Sequence, residues 1–117
     1  MPRRSPRPEG RAALDEAVPE REFSRAFEQA LEYAGFKLVY HTYDSRRSAA
    51  GFPDYVALNI SKKRVLFVEL KSERGRIRPE QAAWIAALGH CGQEAYIWRP
   101  SSWPEIERVL SRKDGQP

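Results

Sequence analysis

The sequence predicts a single small α/β domain, a mixed β-sheet flanked by helices in the order α-β-β-β-α-β-α. Two apolar segments, 55–60 and 65–70, are rich in β-branched and aromatic residues and too short for helices, which indicates strands. Segment 19–34 places its apolar residues at helical spacing instead, along one stripe. With 117 residues, the chain has room for one domain with a modest core.

Each further element is predicted from local signals. Pro19 suits the first position of a helix, and Gly35 is placed to end it. The Ser102–Glu105 segment has the spacing of a capping box, so a last helix is expected to begin there. The predicted elements are a helix over 19–34, strands over 36–43, 55–60 and 65–70, a helix over 79–89, a strand over 94–98 and a helix over 102–112.

Composition limits the classes of protein to consider. The net charge of +4 is compatible with a polyanionic partner. One cysteine, Cys91, excludes an internal disulfide framework. No apolar segment approaches the roughly 18 residues of a membrane span, and no signal peptide is evident, so a cytoplasmic protein of a prokaryotic or phage-infected cell is expected. The Pro- and Arg-rich residues 1–18 are interpreted as an extended or disordered arm, and 113–117 as a flexible tail, around a folded domain over 19–112.

The two central strands carry charged residues within apolar sequence. If Ser61 and Lys62 form the tip of a hairpin, Asp54 faces Glu69 on the neighbouring strand, with Cβ atoms about 5 Å apart. A three-residue tip would shift this pairing by one residue. Side chains repeat every two residues along a strand, so Lys71 lies on the face of Glu69.

Facing carboxylates repel, by about 4 kcal/mol at 4 Å and an effective dielectric constant of 20. A divalent cation between Asp54 and Glu69 would remove that repulsion, with Lys71 beside it, which is an arrangement suited to phosphodiester hydrolysis. The alternative is a surface ion pair between Glu69 and Lys71 on an edge strand. Both flanking segments look buried, which makes an unpaired carboxylate costly and favours the metal site.

These residues resemble the PD-(D/E)xK nuclease superfamily, and within it the small stand-alone VRR-NUC (virus-type replication-repair nuclease) domains of phages and bacteria. The resemblance rests on Gly51–Asp54, Glu69–Glu73, Gln81 and Trp84, and extends over roughly residues 19–111. Each motif alone is weak, whereas all of them in this order and spacing form a specific signal. The resemblance implies a restriction-endonuclease-like core.

A metal-dependent nuclease mechanism follows as the expectation. Asp54 and Glu69 would bind Mg²⁺ or Mn²⁺ as hard oxygen ligands, and the resemblance implies that the backbone carbonyl of Leu70 completes the protein ligands. Lys71 would orient the attacking water or help to deprotonate it, and would offset negative charge in the transition state. No small-molecule cofactor is expected.

Two further residues are candidates for the site. Glu20 continues the apolar stripe of the first predicted helix and would point inward as a third acidic group; the alternative is that it only complements the helix N-terminus. Gln81 is the polar member of a core-facing stripe and would position a water; the alternative is a buried amide bonded to backbone. His41, within a strand, is more often a structural group than a catalytic one.

A basic surplus over residues 62–78 is expected to surround the site. Arg74 and Arg76 in the loop after Lys71, and Arg46 and Arg47 in the loop before Gly51, are the candidate nucleic-acid contacts. The predicted function is therefore a DNA endonuclease. From the resemblance, its substrate would be branched or structured DNA, such as a flap or Holliday junction in replication, repair or recombination, and the enzyme a homodimer.

Two alternative functions remain open from the sequence. One is a catalytically silent nucleic-acid-binding module on the same fold, and the intact set of Asp54, Glu69 and Lys71 argues against it. The other is a structural subunit in which these carboxylates are ordinary salt-bridge partners. Binding of Mn²⁺ separates the structural subunit from the other two functions.

Overall fold

The structure of the protein is a computed structural model that describes residues 9–42 and 49–113. The predicted order of elements is confirmed from the second helix onward, and one additional helix precedes it. The elements are helices α1 (Glu9–Ala17), α2 (Glu20–Ala34), α3 (Pro79–His90) and α4 (Trp103–Ser111), strands β1 (Leu38–His41), β2 (Tyr55–Asn59), β3 (Arg64–Leu70) and β4 (Glu94–Trp98), and a 3₁₀ turn, Pro100–Ser102. None of the described helices is both long and apolar enough to cross a membrane.

The four strands form one mixed sheet in the order β1-β2-β3-β4. The first three are antiparallel, and β4 lies parallel to β3 because α3 carries the chain back to the same end of the sheet. In the central hairpin Tyr55 pairs with Val68 and Asn59 with Arg64, which confirms the predicted register. Ser61 and Lys62 form its tip, closed by a hydrogen bond from Lys63 N–H to the Ile60 carbonyl.

The core lies between one face of the sheet and helices α2 and α4. The apolar stripe predicted for α2 is buried there, and its Phe27 ring packs edge-on against Tyr55 at 5.3 Å and Trp98 at 5.8 Å between ring centroids. Trp98 is therefore a core residue. Helix α3 covers the other face of the sheet over β3 and β4, which leaves Leu38 and Tyr40 of the edge strand β1 exposed.

The arm predicted over residues 1–18 includes a helix that the prediction missed. Helix α1 lies beside the 3₁₀ turn, Val18 packs against the core, and Asp15 is buried. The segment has few apolar residues, so hydrophobic periodicity gave no signal, and its order comes from contacts with distant parts of the chain. Residues 1–8 and 114–117 of the predicted arm and tail lie outside the described residues.

The predicted capping box at the last helix is wrong, although the helix exists. The Ser102 hydroxyl accepts a hydrogen bond from Arg99 N–H at 3.0 Å and does not cap α4. The Glu105 carboxylate accepts a hydrogen bond from the Trp98 indole N–H at 3.1 Å. Ser102 and Glu105, whose spacing suggested a capping box, therefore bond to Arg99 and Trp98 instead of to the first turn of α4.

A glycine turn presses the segment before β2 against the start of α3. Gly51 has φ +84°, a left-handed conformation that favours glycine, and a Cβ built on it would lie 2.5 Å from the backbone carbonyl carbon of Glu80. Phe52 then packs edge-on against Trp84 at 5.1 Å between centroids, and the Trp84 indole N–H donates to the Ala50 carbonyl at 3.1 Å. The Gly51–Asp54 motif is thus a turn that packs against α3 and positions Asp54 at the start of β2.

Replacing Gly51 by alanine should therefore destabilise the protein. A non-glycine residue in this conformation costs about 1–3 kcal/mol, and the clash with the Glu80 backbone adds to that cost. We expect a lower midpoint in urea denaturation for Gly51→Ala. Gly89→Ala is the matched control, because a Cβ there meets nothing within 4 Å and the position is inside α3, where alanine is favoured by about 1 kcal/mol. Equal stability of Gly51→Ala and wild type would contradict this account.

Candidate metal centre

Three predicted site residues meet where β2 begins and β3 ends. Asp54 directly precedes β2, and its Oδ2 accepts a hydrogen bond from Leu70 N–H at 3.0 Å. Glu69 lies on β3, and the Lys71 Nζ stands 3.9 Å from Glu69 Oε2. The backbone of Lys71 is held in turn by a hydrogen bond from its N–H to the Trp98 carbonyl at 2.9 Å. The hairpin register therefore brings both carboxylates and the lysine together, as predicted.

Glu69 is a buried carboxylate with one satisfied oxygen. Its side chain is on the central strand, the residue is 2% exposed, and Oε2 accepts a hydrogen bond from Gln81 Nε2 at 2.8 Å. The other oxygen, Oε1, is buried and has no hydrogen-bond partner among the described residues. A buried carboxylate oxygen without a partner is costly, so the site is suited to a cation.

Gln81 connects the carboxylate to the start of α3. Its Nε2 donates to Glu69, while its Oε1 accepts a hydrogen bond from Arg78 N–H at 2.9 Å, one of the backbone donors at the helix N-terminus. Both ends of the amide are used within the protein. In this arrangement Gln81 fixes the rotamer of Glu69, and its N-terminal position on α3 is what allows it to do so.

The surroundings raise the pKa of both carboxyl groups. Burial is the main cause at Glu69, where the neighbouring Asp54 charge adds to it, and together they raise the pKa to about 7 in spite of Lys71. Burial also raises the pKa of Asp54, and the hydrogen bond from Leu70 N–H opposes that rise. The site thus disfavours two uncompensated negative charges.

The donor atoms fit a hard divalent cation. Asp54 and Glu69 supply carboxylate oxygens, one of them without a partner, and Leu70, whose N–H already bonds to Asp54, follows Glu69 in sequence and offers its carbonyl. The described residues contain no group of three or more Asp, Glu, His or Cys side chains placed to hold a metal. Glu20 lines a cleft together with Asp54, and its charge contributes to the raised pKa of Asp54 and of Glu69, but it is not part of such a group.

The candidate nucleic-acid contacts fall into different environments. Arg46 and Arg47 lie outside the described residues. Arg74 is exposed, and its guanidinium forms an ion pair with Glu16 of α1 at 2.7 Å. Arg76 is exposed in the same loop.

The sequence analysis missed Arg99, whose Nη1 donates to the carbonyls of Ser72 and Glu73 at 2.7 and 2.9 Å and so holds the start of that loop. No local pattern marks Arg99, because its partners are 26 and 27 residues away.

The basic surplus over residues 62–78 does not surround the site as a whole, which corrects the prediction. Arg64 is 3% exposed and forms a bidentate pair with Glu94, at 2.8 and 2.6 Å, at the opposite end of β3. Arg64 and Lys62 also donate to the Arg112 carbonyl, at 2.8 and 2.9 Å. A seven-residue strand separates the two ends of this cluster, so these cations stabilise the far end of the sheet.

His41 lies at the edge of the site without completing a ligand set. Its ring stacks on Tyr55 at 4.4 Å between centroids with an interplanar angle of 10°, and it lines the same cleft as Asp54. The Tyr55 hydroxyl donates to Glu28 of α2 at 2.5 Å. The histidine is therefore part of the wall between the core and the cleft.

Comparison with known proteins agrees with this geometry. The VRR-NUC domain profile matches residues 10–101. A Fanconi-associated nuclease 1 homolog from Schizosaccharomyces pombe is 40% identical over 47 residues, which cover 40% of this chain and 7% of that protein. No solved structure matches the chain. The profile covers most of the sequence, including both carboxylates and the lysine, and the chain therefore belongs to the VRR-NUC family of nuclease domains.

Proposed function

We propose that the protein is a DNA endonuclease that hydrolyses phosphodiester bonds with the help of Mg²⁺ or Mn²⁺. The observation that carries the proposal is the buried Glu69 carboxylate, whose unpartnered Oε1 lies in a site shared with Asp54 and Lys71. A desolvated carboxyl group whose pKa is raised further by a neighbouring carboxylate, as Asp54 does for Glu69, is typical of functional sites. The nuclease family supplies the reaction type.

Each side chain has a defined part in the proposed reaction. Asp54, Glu69 and the Leu70 carbonyl would hold the cation, with Glu20 as a further acidic group beside Asp54. The cation would supply Lewis-acid chemistry, lowering the pKa of water and stabilising charge at phosphorus.

Lys71 stands beside Glu69 with 16% of its side chain exposed, and it would orient the attacking water or help to deprotonate it. Gln81 is a positioning residue, because it acts through Glu69.

Branched or structured DNA is the proposed substrate, and repair the proposed setting. The 47-residue similarity to a Fanconi-associated nuclease 1 homolog supports a role in DNA repair, although the chain spans only 7% of that protein. The exposed Arg76 and the ion-paired Arg74 in the loop after Lys71 would contact phosphates without reading sequence. We place this activity in the cytoplasm.

A homodimer is part of the proposal. Strand β1 is the edge strand of the sheet within residues 9–42 and 49–113, and its Leu38 and Tyr40 are 55% and 60% exposed. Pairing of two such edges would cover both the backbone groups and the apolar side chains, which makes a second copy of the chain a suitable partner.

Lys71→Ala should abolish most cleavage. We expect at least a 100-fold lower rate on labelled flap or four-way-junction DNA with Mn²⁺ or Mg²⁺, because general acid–base and electrostatic help are lost together. Lys37→Ala is the control, since Lys37 is an exposed lysine paired with Glu32 on α2. Binding without cleavage by the wild type under either metal would favour the catalytically silent module instead.

The raised pKa of Glu69 predicts a pH-dependent stability for the metal-free protein. The folded state holds this proton up to about pH 7, whereas the unfolded chain releases it near 4.5, so the free energy of unfolding falls as pH rises through that window. The contribution is roughly 3 kcal/mol, from about 1.4 kcal/mol per pKa unit. Urea denaturation at pH 5 and pH 8 should show the difference, and Glu69→Gln should reduce it.

Two comparisons sharpen that measurement. Glu22→Gln, at an exposed position of α2, should keep the wild-type pH dependence. Addition of Mn²⁺ should stabilise the wild type more at pH 8 than at pH 5, because Glu69 is then ionised. Identical pH profiles for Glu69→Gln and wild type, with no effect of Mn²⁺, would favour the structural subunit.

The dimer is tested by light scattering after size-exclusion chromatography. We expect a mass near twice the 13.5 kDa of the chain, and a shift toward monomer for Tyr40→Glu, which places a charge in the proposed interface. Leu14→Glu is the matched control, because Leu14 is 63% exposed on α1, away from that edge. A monomeric wild type would rule out this interface.

A further inference from the structure

A cleft of about 510 Å³ leads away from the site between helix α2 and the edge of the sheet. Asp54 and Glu20 line the end at the proposed metal centre. Arg21 and Arg25 line the wall formed by α2, and His41 belongs to the opposite wall. The volume is within the range of about 300–1,000 Å³ that is typical of ligand-binding clefts.

Arg21 and Arg25 lie next to each other on α2, and their placement does not stabilise the helix. Arg21 and Arg25 are one helical turn apart, so their Cβ atoms lie about 6 Å from each other, and like charges at this spacing destabilise a helix. Glu22 and Glu28 are three residues from Arg25, close enough to pair with it. The salt bridges observed within 9–42 and 49–113 engage other residues, so neither guanidinium is neutralised by those acids.

The acidic groups of the cleft have other partners or another proposed role. Glu28 accepts the hydrogen bond from the Tyr55 hydroxyl. Asp54 accepts one from Leu70 N–H and, with Glu20, faces the proposed cation. With that cation bound beside Asp54 and Glu20, the two guanidinium groups on α2 are cationic hydrogen-bond donors in the cleft, which suits an anionic chain that enters the metal centre.

We propose that Arg21 and Arg25 bind backbone phosphates next to the scissile phosphodiester, so that the cleaved strand runs along α2. The inference rests on the proposed nuclease function and deepens it by naming a substrate subsite. A guanidinium matches phosphate with two parallel hydrogen bonds, which gives a fixed position to the strand without reading its sequence. Both side chains are exposed and thus accessible to DNA.

The first test measures binding of a fluorescein-labelled 5′-flap DNA by anisotropy, in the Lys71→Ala background, over a range of salt concentrations. Loss of two phosphate contacts should reduce the slope of log K against log salt by roughly 1.4–1.8, which corresponds to about 25- to 60-fold weaker binding at 0.1 M salt. The control is the double variant Lys37→Ala/Arg108→Ala, which removes two exposed cations outside the cleft. It should change the slope by less than half as much as Arg21→Ala/Arg25→Ala.

The second test locates the contacts on the DNA. Single phosphates on either side of the cleavage position are replaced by uncharged methylphosphonates. A methylphosphonate within the subsite should weaken binding of the DNA to the Lys71→Ala protein. The same replacement should have no further effect on binding when Arg21 and Arg25 are also alanine, whereas replacements at other phosphates keep their effect. Circular dichroism melts verify that the arginine variants remain folded, as expected for exposed positions.

The outcomes separate this inference from the function on which it rests. An unchanged salt slope and an unchanged methylphosphonate profile in Arg21→Ala/Arg25→Ala would overturn the subsite, even where the wild type cleaves DNA. Absence of cleavage by the wild type would instead overturn the endonuclease. Because the salt-dependence measurement needs no turnover, it decides in either case whether Arg21 and Arg25 contact phosphates.

Discussion

The buried carboxylate of Glu69 on the central strand is the constraint to which the surrounding structure responds. An ionised group that is 2% exposed loses its hydration, and the protein compensates with a hydrogen bond from Gln81 and the nearby charge of Lys71. Gln81 can serve because α3 begins directly beside the end of β3. The same amide caps that helix by accepting from Arg78 N–H, so the carboxylate, the strand and the helix are held as one unit.

Asp54 reaches this unit through backbone geometry. The left-handed Gly51 lets the chain approach the first turn of α3 at a distance that no other residue allows, and Pro53 is buried with its carbonyl bonded to Thr42. The carboxylate of Asp54 then accepts from Leu70 N–H, one residue beyond Glu69. The motif that suggested a metal ligand is thus equally a packing motif, and the two roles depend on the same contacts.

Positive charge is distributed by tertiary structure into groups with different roles. Arg64 is desolvated against Glu94 at the far end of the sheet, where breaking the pair would leave a buried charge. Arg74 is paired with Glu16 on α1, and Arg99 is used to hold a loop by its carbonyls. The cations that face the cleft, Arg21 and Arg25, stand on a helix whose opposite side builds the core.

The sequence by itself determined the strands, the hairpin register and hence the meeting of Asp54 with Glu69, because side-chain alternation and a short turn leave little choice of pairing. Only the tertiary structure decided that α1 forms, that Ser102 bonds to Arg99, and that Arg64 pairs with Glu94 away from the candidate metal centre. These outcomes depend on partners tens of residues away or on burial against other elements. Local periodicity carries no information about such partners, since it reports only which side of an element is apolar.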